Sequence, residues 1–125
     1  MKKVTSNHYR IDIGRWGEDC ACQYLTSRGL QPIERNVRTP YGEIDLVMDF
    51  EGVKVFVEVK TRANLESGYP EDSVTDEKMD RMNECAEWFM AEHGKNEDPW
   101  RVDVIAVLGQ PKKGTPQIEW FQNEF

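Results

Sequence analysis

The sequence predicts an α/β domain with a mixed central sheet flanked by helices, and three observations carry that prediction. Two strand-like runs, Glu43-Ile44-Asp45-Leu46-Val47-Met48-Asp49-Phe50 and Val53-Lys54-Val55-Phe56-Val57-Glu58-Val59-Lys60, are separated only by Glu51-Gly52. A two-residue loop ending in Gly suits a tight antiparallel hairpin. The later run Arg101-Val102-Asp103-Val104-Ile105-Ala106-Val107-Leu108 is almost continuously apolar, the pattern of a strand buried on both faces. Between hairpin and buried strand, residues 75–93 carry apolar side chains at helical spacing. The resulting strand, helix, strand crossover is expected to be right-handed, with its two strands parallel.

The elements follow in order. After a polar arm to residue 12, residues 14–28 have helical spacing, with Gly17, Ala21, Tyr24 and Leu25 on one stripe and Gly29 as a C-terminal stop. Pro32 excludes continuation. Glu18 falls on or beside the buried stripe, where a carboxylate needs a partner. Residues 33–38 read as a short strand, and Pro40-Tyr41-Gly42 as the turn into the hairpin. The hairpin register pairs Phe50 with Val53, Asp49 with Lys54, Val47 with Phe56, Asp45 with Glu58 and Glu43 with Lys60. Side-chain alternation then gathers Ile44, Leu46, Met48, Phe50, Val53, Val55, Val57 and Val59 on one apolar face, and a one-residue slip would expose that face. Residues 64–70 are rich in turn formers. Thr75 or Ser73 can cap the second helix, whose stripe Met79, Met82, Cys85, Ala86, Phe89 and Met90 faces the core and which Gly94 ends. Residues 117–121 read as an edge strand or a tail packing its aromatics. The order is αβββαβ, and residues 1–125 form one domain.

The hairpin register places Asp45 and Glu58 opposite each other on the surface that also carries Lys60. Like charges so placed repel. A cation is expected between them, and an all-oxygen pair of ligands suits Mg²⁺.

The net charge of −7 argues against simple affinity for nucleic acid. Its distribution softens the objection: residues 1–62 hold ten Lys and Arg against nine Asp and Glu, a balance of +1, whereas residues 63–125 hold six against fourteen, a balance of −8. The first half presents Arg10, Arg15, Arg28, Arg35, Arg38 and Arg62 as candidate phosphate contacts, with Lys112 outside that set. The three Cys fit reduced thiols better than a disulfide framework. Cys20 and Cys22 project about 200° apart on a helix, too far apart to clasp zinc together. His8 and His93 have no visible nucleophile to activate. No apolar run approaches the roughly 20 residues of a membrane helix, and no apolar segment follows Lys2 and Lys3, so a cytoplasmic chain is expected.

An ordered set of motifs adds a resemblance. It comprises Gly14-Arg15-x-Gly17-Glu18-x-x-Ala21, Arg35-Asn36-x-Arg38, Gly42-Glu43-Ile44-Asp45-Leu46-Val47, Val55-Phe56-Val57-Glu58-Val59-Lys60-Thr61-Arg62, Lys78, and Arg101-x-Asp103-Val104. This set resembles the PD-(D/E)xK nuclease superfamily, and in detail the YraN family of predicted endonucleases, related to archaeal Holliday junction resolvases. The resemblance implies a restriction-endonuclease-like core and a Mg²⁺-dependent endonuclease acting on DNA, with branched or damaged DNA as the substrate class and Mn²⁺ able to substitute. It implies Asp45, Glu58 and Glu18 as metal ligands and Lys60 as the group that orients water and stabilises phosphate charge. It also implies Arg15, Arg35, Arg38, Thr61, Arg62 and Lys78 as nucleic-acid contacts, and it allows a homodimer. The chain departs from the pattern in lacking a Pro before Asp45 and in carrying Val102 where Phe is usual. The alternative is a non-catalytic nucleic-acid or protein interaction module on the same fold. In structural terms, Glu18 could instead pair with Arg38, while Lys78 and Asp103 could be a helix-start charge and a strand-end carboxylate.

Overall fold

A computed structural model describes residues 6–93 and 97–123 of the chain, with side chains from residue 13 onward. Helix α1 (Ser6–Ser27) leads into β1 (Gln31–Thr39), β2 (Gly42–Phe50) and β3 (Val53–Arg62). A 3₁₀ turn (Pro70–Ser73) and helix α2 (Asp76–His93) follow, then β4 (Trp100–Leu108) and β5 (Gln117–Gln122). The five strands form one sheet in the order β1-β2-β3-β4-β5. Only the β3–β4 pair is parallel, so the sheet is mixed. Among the described residues no helix is long and apolar enough to cross a membrane.

The turn at Glu51-Gly52 has φ of 52° and 88°, left-handed at both positions as a type I′ hairpin requires. It sets the expected register, from Phe50↔Val53 through Asp49↔Lys54 and Val47↔Phe56 to Leu46↔Val57. Alternation along these strands feeds two cores on opposite faces of the sheet. One joins Ala21 and Leu25 of α1 to Leu46, Met48, Val55, Val57, Ile105 and Val107. The other joins Met79, Met82, Cys85, Ala86, Phe89 and Met90 of α2 to Val47, Phe56, Val102 and Val104. The central strands are therefore covered on both sides, as the apolar run of β4 requires. This is the arrangement of a restriction-endonuclease-like core.

The helix ends show how local chemistry sets these boundaries. Leu30 N–H donates to Leu25 O and Gly29 N–H to Thr26 O, both at 3.1 Å, with Gly29 at φ 95°. That is a Schellman cap with glycine in the left-handed position and Leu25 and Leu30 in apolar contact across it. At α2, Thr75 Oγ1 accepts the Lys78 N–H at 3.2 Å, so Thr75 is the cap, and Ser73 Oγ instead bonds Pro70 O at 2.9 Å. The expected stop at Gly94 lies outside the described residues.

Three expectations need correction. Helix α1 begins at Ser6 rather than residue 14, so residues 6–12 are not an arm. Residues 6–12 have no apolar stripe at helical spacing, but once a helix is nucleated, propagation through them needs only one further hydrogen bond per residue. Ile44 packs with Val37 and Val47 on the α2 side, not with Leu46 and Met48. Strict alternation fails there because β2 is irregular at Asp45. The turn-rich loop ends in a 3₁₀ turn at Pro70–Ser73, closed by Tyr69 N–H donating to Asp72 Oδ2 at 3.0 Å.

Asp103 is fully buried in β4. It accepts Trp120 Nε1–H at 2.9 Å and Asn123 N–H at 3.0 Å and pairs with Arg101 Nε at 3.2 Å. These contacts pin edge strand β5, and they make Asp103 a structural carboxylate.

Gly17 brings α1 against β3: a methyl group built on it would overlap Thr61 Oγ1. Gly17→Ala is expected to destabilise the protein by about 1–3 kcal/mol, because the overlap outweighs the gain of roughly 1 kcal/mol in helix propensity. Denaturant melts should show a smaller penalty in a Thr61→Ala background, the coupling expected of residues in direct contact. Additive losses would mean that the helix accommodates the methyl elsewhere.

Candidate active site

The β2–β3 ladder stops at Leu46↔Val57. One residue further, where Asp45 was expected to face Glu58 as a regular pair, Asp45 Oδ2 accepts the Val59 N–H at 2.8 Å. A side chain thus takes the place of a main-chain partner. On the other flank the β1–β2 register passes from Arg35↔Leu46 to Val37↔Ile44 without pairing Asn36, whose φ is 52°. Asn tolerates this left-handed conformation better than most residues. The sheet is therefore opened on both sides of Asp45.

Burial first, and then the charge of Glu58, push the Asp45 carboxyl up to about 8 from an ordinary 3.8. Glu18 adds to the rise, while the Val59 N–H and Lys60 oppose it. So Asp45 and Glu58 do repel, although they are not ladder partners. Glu58 Oε1 lies 3.0 Å from Lys60 Nζ two residues along the same strand.

Glu18 reaches this region because Gly17 lets α1 approach β3. Its Oε1 accepts Asn36 Nδ2–H at 3.0 Å and lies 3.6 Å from Arg35 Nη2. Glu18 therefore pairs with Arg35, not Arg38. Arg35 also binds Asp19 Oδ1 at 2.8 Å, so its charge is already committed within the protein. Asn36 donates to Glu43 Oε1 at 3.3 Å as well, tying two carboxylates to the irregular strand. Asn36 stands in the Arg35-Asn36-x-Arg38 motif, and the sequence signal for its role is an Asn inside a strand, a residue type depleted from strands.

A cavity of about 490 Å³ is lined by Glu18, Asp45, Glu58, Lys60, Thr61 and Arg62. Six of the expected site residues thus come together. Lys78 lies elsewhere, in a cavity of about 190 Å³ shared with Glu58, Lys60, Arg81, Glu43 and Tyr41. The Lys78 ammonium is held below its ordinary range, first by the like charge of Lys60. Arg15 and Arg38 are exposed and line neither cavity. Arg28 stacks over Tyr24 at 3.5 Å beside a separate cavity with Cys20 and Thr115. The side chains of His8 and Arg10 lie outside the described residues. The loop carrying Lys112 and Lys113 springs from the Arg62 end of the sheet, where Gly109 N–H donates to Arg62 O at 2.9 Å.

Among the described residues no three His, Cys, Asp and Glu side chains converge closely enough to hold a metal ion. Glu58 is satisfied by Lys60, and Glu18 by Asn36 and Arg35. The donor chemistry nevertheless fits a hard cation. Asp45 and Glu58 supply only oxygen, Lys60 and the Val59 N–H offset their mutual repulsion only in part, and Asp45 has one oxygen, Oδ1, free of hydrogen bonds among the described residues.

Residues 17–107 match Uncharacterised protein family UPF0102. The chain belongs to that family. It is 45% identical over 108 residues to a UPF0102 protein of Clavibacter michiganensis, covering 86% of this chain and 91% of that protein. A UPF0102 protein of Syntrophotalea carbinolica is 38% identical over 118 residues, 94% of each chain. One from Thermus thermophilus is 39% identical over 99 residues, 79% of this chain and 86% of that protein. The UPF0102 match spans every residue of the two cavities that bears charge, and it ends before β5.

The raised Asp45 carboxyl has a measurable consequence. Its pKa is higher in the folded chain than the ordinary 3.8, so the folded state holds the proton more tightly. That contribution to stability is full below about pH 4 and is lost as pH rises toward about 8. Asp45→Asn keeps an acceptor for Val59 N–H and removes the titration. In EDTA its melting temperature is expected to exceed the wild type by a margin that opens above about pH 4 and levels off above about pH 8. Parallel pH curves for the two proteins would show that Asp45 is held ionised.

Proposed function

We propose that this UPF0102 protein is a divalent-cation-dependent nuclease that hydrolyses phosphodiester bonds in DNA. The observation that carries the reading is Asp45: a part-buried carboxyl, repelled by Glu58 and flanked by Lys60, in a cavity with Thr61 and Arg62 on its wall. Buried perturbed acids beside a specific charge partner in a cleft are the usual mark of reactive sites.

Asp45 and Glu58 would hold the cation, with Glu18 adding a ligand or holding a water bound to it. When bound, Mg²⁺ or Mn²⁺ supplies Lewis-acid stabilisation of phosphoryl charge and an activated water. The remaining work falls to the chain itself. Lys60, freed from Glu58 Oε1, can turn its ammonium to a non-bridging phosphate oxygen and stabilise the charge that grows there. Arg62 and Thr61 offer charged and neutral donors to the same phosphate from the neighbouring strand positions. Asn36 holds Glu18 in the cavity wall at 3.0 Å. Branched or damaged DNA is the substrate class suggested by the likeness to junction resolvases.

One observation favours a second reading, a non-catalytic interaction module. Arg35 and Lys60 already neutralise Glu18 and Glu58 internally, and residues 63–125 carry a balance of −8 that would repel DNA. Metal-dependent turnover separates the two readings.

Cleavage of a panel of branched, nicked and linear DNA is expected to require Mg²⁺ or Mn²⁺ and to vanish in EDTA. Lys60→Ala and Glu58→Gln should each lower the rate by roughly 100-fold or more while leaving the circular dichroism unchanged. Activity that survives EDTA or both substitutions would end the nuclease reading. In a separate measurement, Arg62→Ala is expected to weaken DNA binding and flatten its salt dependence. Lys54→Ala should do neither, since Lys54 sits at the far end of β3, paired with Asp49 at 3.8 Å. Equal losses at both positions would show that binding is spread over the surface.

A further inference from the structure

The cavity on the α2 side of Lys60 is distinct in chemistry from the carboxylate-lined cavity beside α1. It sets three cations, Lys60, Lys78 and Arg81, against two carboxylates, Glu43 and Glu58. Both carboxylates are already engaged, Glu58 by Lys60 at 3.0 Å and Glu43 by Asn36 at 3.3 Å. Lys78 and Arg81 have no carboxylate partner among the described residues. Lys78 meets Lys60 and Arg81 as like charges that Glu58 offsets only in part, and an anion joining them would relieve the crowding. The cavity walls are otherwise Gly42, Met82 and Cys85, with Tyr41 at the rim, where 47% of its surface is exposed.

Size narrows the ligand. At about 190 Å³ the cavity is smaller than the roughly 300–1,000 Å³ that encloses a drug-sized molecule. It suits a phosphate group, not a whole nucleotide, and Tyr41 stands where a base or sugar attached to that phosphate could lie against an aromatic ring. Lys60 and Glu58 border both cavities, so a phosphate held here would belong to the strand that passes over them.

We infer that Lys60, Lys78 and Arg81, with Tyr41 at the rim, form a second phosphate-binding pocket that anchors the substrate strand beside the cleavage site. The identity of the phosphate's bearer rests on the nuclease reading; the pocket itself does not. Its source is either a terminal phosphate monoester or an internal diester. The three cations favour the doubly charged terminal group, which would direct the protein to strand ends, nicks or flaps.

The test uses full-length protein in EDTA, so it is independent of metal and turnover. Inorganic phosphate, compared with chloride at equal ionic strength, is expected to raise the melting temperature, and Lys78→Gln and Arg81→Gln should each abolish the rise. Anisotropy with short labelled single strands should show a 5′-phosphorylated strand binding about tenfold tighter than its 5′-hydroxyl counterpart, with the advantage lost in both variants. Equal weakening of both strands by the variants would assign the pocket to an internal phosphate. Tyr41→Ala should weaken oligonucleotide binding but leave the response to inorganic phosphate intact. No phosphate-specific stabilisation of the wild type, or the same stabilisation in both variants, would overturn the proposal. A protein that passes these tests yet never cleaves DNA would retain the pocket and lose the nuclease reading.

Discussion

The hydrogen bond from Val59 N–H to Asp45 Oδ2 is the constraint on which the site depends. A carboxylate standing in for a main-chain acceptor ends the β2–β3 ladder at Leu46↔Val57 without leaving a buried N–H unsatisfied. It also fixes an acid in a dry place beside Glu58. Desolvation and like-charge repulsion outweigh the stabilising N–H, and the carboxyl rises to about 8. Asp45 can then be neutralised by a proton or by a cation, and which one it holds is a matter of pH and metal supply. A regular Asp45–Glu58 ladder pair would have stacked the two acids on one exposed surface without this burial.

Around that bond the charges are arranged so that each acid has an internal partner that can be displaced. Lys60 sits on Glu58, and Arg35 sits between Glu18 and Asp19. Apart from the exposed Asp19, these pairs are part-buried, with side chains 17–35% exposed. Their value is in position: on the proposed nuclease reading, a cation arriving at Asp45 and Glu58 would release Lys60 toward the substrate phosphate. Asn36 serves the same arrangement from the opposite flank. Its left-handed backbone opens the β1–β2 ladder, and its amide reaches two carboxylates. Gly17 completes it by letting α1 come close enough for Glu18 to be reached.

The two cavities lie on either side of Lys60 because β3 ends between the two helices. Glu58 and Lys60 border both spaces, one dominated by carboxylates and the other by cations. That separation of charge along one strand end suits a substrate carrying successive phosphates, each meeting a different environment. It also explains how a chain of net charge −7 can present a local cationic surface.

Several elements that follow from local chemistry were legible in the sequence. The turn at Glu51-Gly52 set the hairpin register, the six apolar residues of α2 marked its buried face, and Gly29 marked the end of α1, because each depends on neighbours within a few residues. The start of α1 at Ser6 was not legible, since residues 6–12 carry no apolar repeat at helical spacing. The co-location of Glu18, Asp45, Glu58 and Lys60 was suggested by their order along the chain and by resemblance to a family pattern. The partners they take, however, were decided by tertiary structure. Arg35 rather than Arg38 reaches Glu18, Asp45 bonds Val59 rather than pairing across with Glu58, and Lys78 joins Arg81 in a separate cavity. Alternation predicts which face a strand residue occupies only while the ladder is regular. At Asp45 and Asn36 it is not, and the direction of every side chain there follows from how two helices and three strands meet.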